Sequence, residues 1–424
     1  MKKIKVLLKY VFIVLIICQT IMCVQRCCQV VYYFWSDKSM TNWAATDYLI
    51  NYQGGFVRRG MFGEILYQLR LNFGVDILSL LTVMSISFYL LLLYLLIKFF
   101  WKNRLQLYIL PIVIFYGLNN VARKDSLQIL LLWLILYSYL HIKSPGIKVA
   151  ISMLIIFFLL NFHEASLFFA WPLLSLLILA DGSLNKKIKV VGVATPIATF
   201  LSLAYFKGDV ATAQAIHDSW KVFLPAEWGD VPNTSVEAIG WSAKDTFLMH
   251  LRLNYFTPDA SYPWLKGWMI RPFIYIFVYY LISNYPLFFR KGDAVKNQRD
   301  SLTLSRILLF QFIMLIPMFT ILSCDLGRIV CYWTLSSFVF YLVVPQQTLE
   351  NLFPGFYCKL SDKIYYYLTK ILPPSYVLLA VIMVVITFTP VKFNVSWASS
   401  LSVIGSFQEL INELLVLGNI ISPS

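Results

Sequence analysis

The chain has 424 residues, of which 59% are apolar and 13% charged, against roughly 25% charged in an ordinary soluble domain. That excludes a water-soluble globular protein. The net charge of +14 would point to nucleic acid only in a soluble protein; here the gathering of Lys and Arg in cytoplasmic loops accounts for it first, so no nucleic-acid partner is expected.

At about 20 apolar residues per membrane span, the apolar content suffices for roughly eleven spans. The expected fold is an all-α, polytopic integral membrane protein, a single transmembrane domain over 1–424. Residues 1–24 combine a basic start with an apolar run. Gln25, Arg26, Cys27 and Cys28 follow where a small-residue cleavage site would stand, so the run reads as a retained first span. Apolar runs near 8–25, 77–97, 105–118, 126–140, 149–161, 166–180, 190–206, 270–289, 307–323, 329–345 and 371–389 are the helix candidates. Those holding Pro111, Pro172 and Pro317 are open to kinks, which bilayer helices tolerate.

With the N-terminus cytoplasmic, segments 1–9, 98–104, 141–148, 185–189, 290–306 and 351–370 fall inside. They hold more than half of the 35 Lys and Arg residues in about a sixth of the chain, which sets the orientation and leaves the C-terminus outside. Two outside segments are long, 26–75 and 207–271. In the first, Met61, Ile65, Leu66, Leu69 and Phe73 share one helical face and Glu64, Gln68 and Asn72 the other, the pattern of a helix lying in the membrane surface. The outside tail, 390–424, repeats it with Phe407, Leu410, Ile411, Leu414 and Leu415. Neither an internal repeat nor inverted symmetry is visible. The seven cysteines form no CxxC, so neither a metal site nor a disulfide framework is indicated, and no cofactor is called for.

The short outer turns concentrate polar groups: Asn119, Asn120, Arg123, Lys124 and Asp125 in one, His163 and Glu164 in another, Asp325 and Arg328 in a third. All share a side with Asp47, Arg58 and Arg59. The run 148–162 rises only about 22 Å at 1.5 Å per residue, less than a hydrocarbon core of about 30 Å. His163 and Glu164 are therefore expected to sit recessed, with Arg123 and Asp125 lining the same depression if the hairpins are neighbours. Ionisable groups at such depth usually face a functional, water-filled cavity, here roofed by the two long loops.

Each cluster also has a plainer reading. In DYLINYQGGFVRRG (47–60), Gly54 and Gly55 would allow close backbone approach while Arg58 and Arg59 grip a phosphate through forked bonds; arginines meeting lipid headgroups would explain the same string. In CDLGR (324–328), Asp325 and Arg328 are spaced to pair on one helical face, as an ordinary ion pair or with Asp325 orienting a phosphate ligand. In ARKDS (122–126), Asp125 or Ser126 suits the start of a helix. His163 and Glu164 fit buried hydrogen bonding better than a metal set, since no HExxH is present. The loop 207–271 carries Trp220, Trp228, Trp241, Trp264 and Trp268 with His217, Glu227 and His250. Interfacial belts explain Trp at membrane edges, yet Trp228 and Trp241 lie far from either end and also suit a sugar ring. The sequons at Asn233 and Asn394 matter only in a eukaryotic secretory membrane.

The N-terminal span, the outside loop with Asp47, and the DYLINYQGGFVRRG, ARKDS and CDLGR strings resemble bacterial multi-span proteins of surface-polysaccharide machinery. These are glycosyltransferases of the C-type membrane fold and O-antigen or capsule polymerases of the inner membrane. The resemblance covers most of the topology, and only these short strings match in detail. It implies a sugar donor on a polyprenyl phosphate and a glycan or lipid-linked acceptor. Asp47 would be the base, with Asp37 as understudy, and Arg58, Arg59, Arg123 and Arg328 would hold the lipid pyrophosphate. Unlike larger C-type enzymes, the chain has no C-terminal soluble domain, which leaves the acceptor to the long loops. Two other readings remain: a transporter or flippase of lipid-linked sugars, and an acyltransferase using His163.

Overall fold

The computed structural model describes residues 46–103, 105, 121, 123–224, 234–256, 267–290, 293–323 and 326–375, with 6, 10 and 378 singly. Nearly all of the expected spans at 8–25, 105–118 and 371–389, with the tail pattern, Asp37, Asn119, Asn120, Glu227, Asp325, Trp228 and Trp264, lie outside the described residues.

Among the described residues the chain is helical, with no strand; an isolated bridge pairs Leu105 with Arg290. The helices are α1 (Gly60–Phe73), α2 (Ile77–Lys102), α3 (Asp125–His141), α4 (Pro145–Phe162), α5 (Ser166–Phe169), α6 (Trp171–Ala180), α7 (Lys186–Tyr205) and α8 (Val210–Lys221). There follow α9 (Glu237–Gly240), α10 (Ala243–Leu251), α11 (Gly267–Ser283), α12 (Tyr285–Phe289), α13 (Ala294–Pro317), α14 (Leu326–Val343), α15 (Gln346–Glu350) and α16 (Gly355–Ile371). Among the described residues four helices are long and apolar enough to cross a membrane: α2, α4, α7, and α13 continued through a π-helical turn to Leu322.

The apolar runs became helices, with three departures. The run 166–180 breaks at Ala170, because Pro172 lacks the N–H that a continuous helix would use and sits instead in the first turn of α6. The run 270–289 breaks at Asn284, before Pro286. The run expected at 307–323 begins much earlier, at Ala294, where the Asp293 carboxylate accepts from the Val295 N–H at 3.0 Å. The charges that made 294–306 read as a loop are neutralised by partners distant in sequence: Asp300 by Arg290, Arg299 by Glu350 and Arg306 by Asp362.

Helix α3 packs against α2, α4 and α14, and α13 against α11, α14 and α16. Their buried faces merge into one apolar core. α1 forms as expected and ends on left-handed Gly74, whose N–H reaches the Arg70 carbonyl. Its inner face meets protein, however. Gly63 lies so near the 47–52 segment that a Cβ would fall 2.0 Å from the Ile50 carbonyl oxygen, while Ile65, Leu71 and Phe73 remain exposed. Only that outer strip is left for lipid.

The two long loops dock on each other. Ile50, Val57, Ala213, Ile216, Val236 and Ile239 make a small second core. Around it the Trp220 indole N–H donates to the Leu49 carbonyl at 2.7 Å, Asn51 Nδ2 donates to Ser219 Oγ at 2.9 Å, and the Ser235 N–H donates to Thr46 Oγ1 at 3.0 Å. Gly54 serves this contact. A Cβ there would sit 2.6 Å from the Thr212 carbonyl oxygen, so its close approach is to α8, not to a ligand phosphate, and Gly55 takes the left-handed turn (φ 113°).

Candidate functional site

Three helix ends and the docked loops converge on one cavity. At the start of α3, Lys124 is buried, and its Nζ donates to the Asp47 carbonyl at 2.7 Å and meets Asp47 Oδ2 at 3.3 Å. An ammonium is left in such a place only if paired. Asp47 lies on a short 3₁₀ turn, Asp47–Leu49, and its other oxygen faces Arg59 Nη1 at 3.3 Å. Burial pushes the Asp47 carboxyl up, but Lys124 and then Arg59 outweigh it and hold it far below the usual carboxylate range. Burial also drives Lys124 below its ordinary value despite Asp47.

Just past the end of α4, Glu164 is the hub. Arg59 grips it through Nε at 2.6 Å and Nη2 at 2.5 Å, and Arg58 Nη1 adds 3.1 Å. Such forked, charge-assisted pairs are the strong ones. Burial works against ionisation of Glu164, yet Arg59 and Arg58 keep its carboxyl well down. Arg59 is also the residue other than glycine with a left-handed backbone (φ 64°) among the described residues, a strain that persists where surrounding contacts over-determine it. The arginine pair expected to face a ligand is thus already engaged by carboxylates of the protein.

At the start of α14, Arg328 donates from Nε to Asp125 Oδ1 at 2.8 Å, and its Nη2 stands 2.6 Å from the same oxygen; the Tyr332 hydroxyl donates to that carboxylate as well. Asp325, the expected partner, lies outside the described residues. Asp125 neither caps α3 nor faces solvent: it ties α3 to α14 across about 200 residues of chain.

His163, which follows α4, is buried, and its Nδ1 accepts the Ala165 N–H at 3.1 Å. A backbone N–H can only donate, so Nδ1 carries no proton and the ring hydrogen is on Nε2. Burial, then repulsion from Arg59 and Arg328, holds its pKa well below the ordinary value. The ring is a neutral donor, which is the wrong form for an acyl-transfer base.

The cavity between these groups measures about 590 Å³, and its lining is both charged and apolar. Its polar lining holds Asp47 and Glu164 with five cations, Arg58, Arg59, Arg123, Lys207 and Arg328. Its apolar lining includes Phe200, Leu203 and Ala204 from α7, Phe247 from α10, and Met318 and Ile321 from the π-helical turn after α13. Behind the polar lining, Lys124 and Asp125 add one charge of each sign, so a cationic surplus remains. Among the described residues no three His, Cys, Asp or Glu side chains gather as metal ligands do.

Of the expected Trp residues, Trp220 is buried in the main apolar core, Trp268 is exposed, and Trp241 lines the cavity with its N–H on Glu237 at 3.2 Å. The sequence reading passed over Tyr332, Lys207 and His250 as site residues. Tyr332 had a signal, lying one helical turn after Arg328; His250 stood out only as a polar residue among the Trp residues of 207–271, and Lys207 had no signal. No family model, curated protein or solved structure matches this chain.

Proposed function

We propose that this chain is a membrane glycosyltransferase or polysaccharide polymerase, moving sugar units from a polyprenyl-phosphate-type lipid donor to a glycan acceptor at the outer face of the bacterial inner membrane. On this reading it has about eleven spans and a cytoplasmic N-terminus, and the cavity opens outward. The observation that carries it is the cavity's mixed lining. Surplus cations suit a phosphate, the apolar wall suits the first isoprenoid units, and 590 Å³ is the size of a ligand pocket. A soluble sugar phosphate would leave the apolar wall unused, and a simple lipid would bring no anion to the cationic surplus.

The chemistry is a displacement. An acceptor hydroxyl attacks the anomeric carbon, the bond to the phosphate oxygen breaks, and Arg328 with its neighbours stabilises the charge growing on that oxygen. Asp47, with both oxygens held by cations, is a poor proton acceptor. Its place in this reading is to order Arg59 and Lys124.

One observation favours a second reading, a transporter of the same lipid-linked sugar. Helical regularity fails beside the cavity, at Ala170 and in the turn Met318–Leu322, as in transporters that bind cargo at helix breaks. A single experiment separates the two: the lipid-linked and surface glycan profile of cells lacking this protein, complemented with the natural chain or with Ala204→Trp, which fills the apolar wall and leaves every charge in place. The natural chain is expected to restore the profile. Ala204→Trp should leave single units on lipid in the outer leaflet, or a glycan short of one sugar. Complete units stranded on the cytoplasmic leaflet would replace the enzyme with the transporter, and an unchanged profile in the deletion would sink both.

A further inference from the structure

Among the described residues of the cavity, the carboxylates are locked by cations and His163 is locked as a donor. His250, on α10, differs. Its Nδ1 lies 3.2 Å from the Ile321 carbonyl oxygen. A carbonyl can only accept, so Nδ1 carries the proton and Nε2 is the lone-pair nitrogen of the neutral ring. His250 is buried and lines the same cavity as Asp47, Glu164 and Arg328. The two histidines are therefore in opposite tautomers, each dictated by a backbone group that has no alternative role.

We propose that His250 Nε2 is the proton acceptor for the acceptor hydroxyl, and so a catalytic residue of the cavity. The assignment rests on the glycosyl-transfer reading. In the step, the acceptor O–H gives its proton to Nε2 as its oxygen forms the new bond to the anomeric carbon. The old bond to the lipid phosphate breaks with both electrons on the phosphate oxygen, and the imidazolium is left to release its proton to solvent. No further reactant is needed.

The surroundings suit this role. α10 packs on two π-helical turns, Arg252–Phe256 and Met318–Leu322. The first brings Arg252 and Tyr255, whose hydroxyl donates to the Phe319 carbonyl at 3.2 Å; the second brings no titratable group. α10 itself also carries the exposed Lys244 and, in sequence, Asp245. The same cavity is lined by the paired Asp47 and Glu164, the neutral His163, Tyr332 and the five cations. Burial lowers the His250 pKa, and the bond to Ile321 only partly offsets it, so the ring is neutral near pH 7 and able to take a proton.

The test uses the full chain in liposomes, with the lipid-linked material extracted from cells lacking the protein as donor. His250→Asn keeps an N–H for the Ile321 carbonyl and removes the lone-pair nitrogen. It is expected to lower kcat by about 100-fold or more with little change in the donor KM. The natural chain should lose rate as pH falls through the His250 pKa, below about 6.5, because an imidazolium cannot accept. The variant's residual rate should lack that acid limb, which a merely structural role would not remove. Should His250→Asn fail to reach the membrane, His250→Gln is read the same way. A variant within a few-fold of the natural rate, or one keeping the acid limb, overturns the assignment and leaves the transferase reading standing. A natural chain inert on its own accumulated lipid overturns the transferase reading, and the assignment with it.

Discussion

Ion pairs fasten both ends of the α3–α4 hairpin, and the two ends use them differently. At the end away from the cavity, Asp181 takes Lys148, the Tyr139 hydroxyl at 2.9 Å and the Ser183 hydroxyl at 2.6 Å. Nearby elements close the same way: Arg290 on Asp300, and Arg306 bidentate on Asp362 at 2.9 and 2.7 Å. Each of these cations is matched by a carboxylate from another element, while other lysines of that end, Lys143, Lys186 and Lys187, are exposed. At the cavity end the pairs are as tight, but cations outnumber carboxylates and an open volume adjoins an apolar wall. Buried ion pairs alone therefore do not mark a functional site, since they also fasten helices together. Surplus charge beside empty space does, because the field it makes has a ligand still to attract.

The largest way to stress this comparison is Glu164→Gln. It leaves Arg58 and Arg59 without their hub and should cost roughly 3 kcal/mol, read as a fall in Tm in detergent, together with loss of glycan transfer. Lys148→Met at the other end leaves Asp181 its two hydroxyls and should cost about 2 kcal/mol, while transfer per folded molecule stays unchanged. If Lys148→Met lowers that rate as Glu164→Gln does, the contrast between the ends fails. Arg328→Lys keeps the charge but loses the fork toward Asp125 and Tyr332. It should raise the donor KM about tenfold, about 1.4 kcal/mol, with Tm nearly unmoved; an unchanged KM would remove Arg328 from the phosphate cradle. Asp362→Asn breaks a pair whose carboxylate is 37% exposed and should shift stability by less than about 1 kcal/mol, with no effect on transfer.

How much of this was legible beforehand differs between fold and site. Runs such as 126–140 and 149–161 read as helices because an unbroken apolar stretch in lipid satisfies its backbone within itself only as a helix. Helix α13 defeated that logic. Arg299, Asp300 and Arg306 look like a loop until Glu350, Arg290 and Asp362 arrive to neutralise them. In the site, Asp47, Arg58, Arg59, Arg123, His163, Glu164 and Arg328 do line one cavity, with Lys124 and Asp125 directly behind. Their partners were misread, because local spacing favoured Asp325 for Arg328 and gave Glu164 no cation at all. His250 carried no signal of this role, since its tautomer depends on a carbonyl 71 residues away.

Composition by itself determined that the chain is helical and apolar enough for a membrane, because those properties follow from how each stretch partitions between water and hydrocarbon. It also gathered most of the charged residues that matter into a few short turns. Only the tertiary structure decided which of those charges cancel and which are left over. Pairing is a matter of distance, and an arginine at position 59 meets a carboxylate at position 164 only once the loops and helix ends have closed on one another.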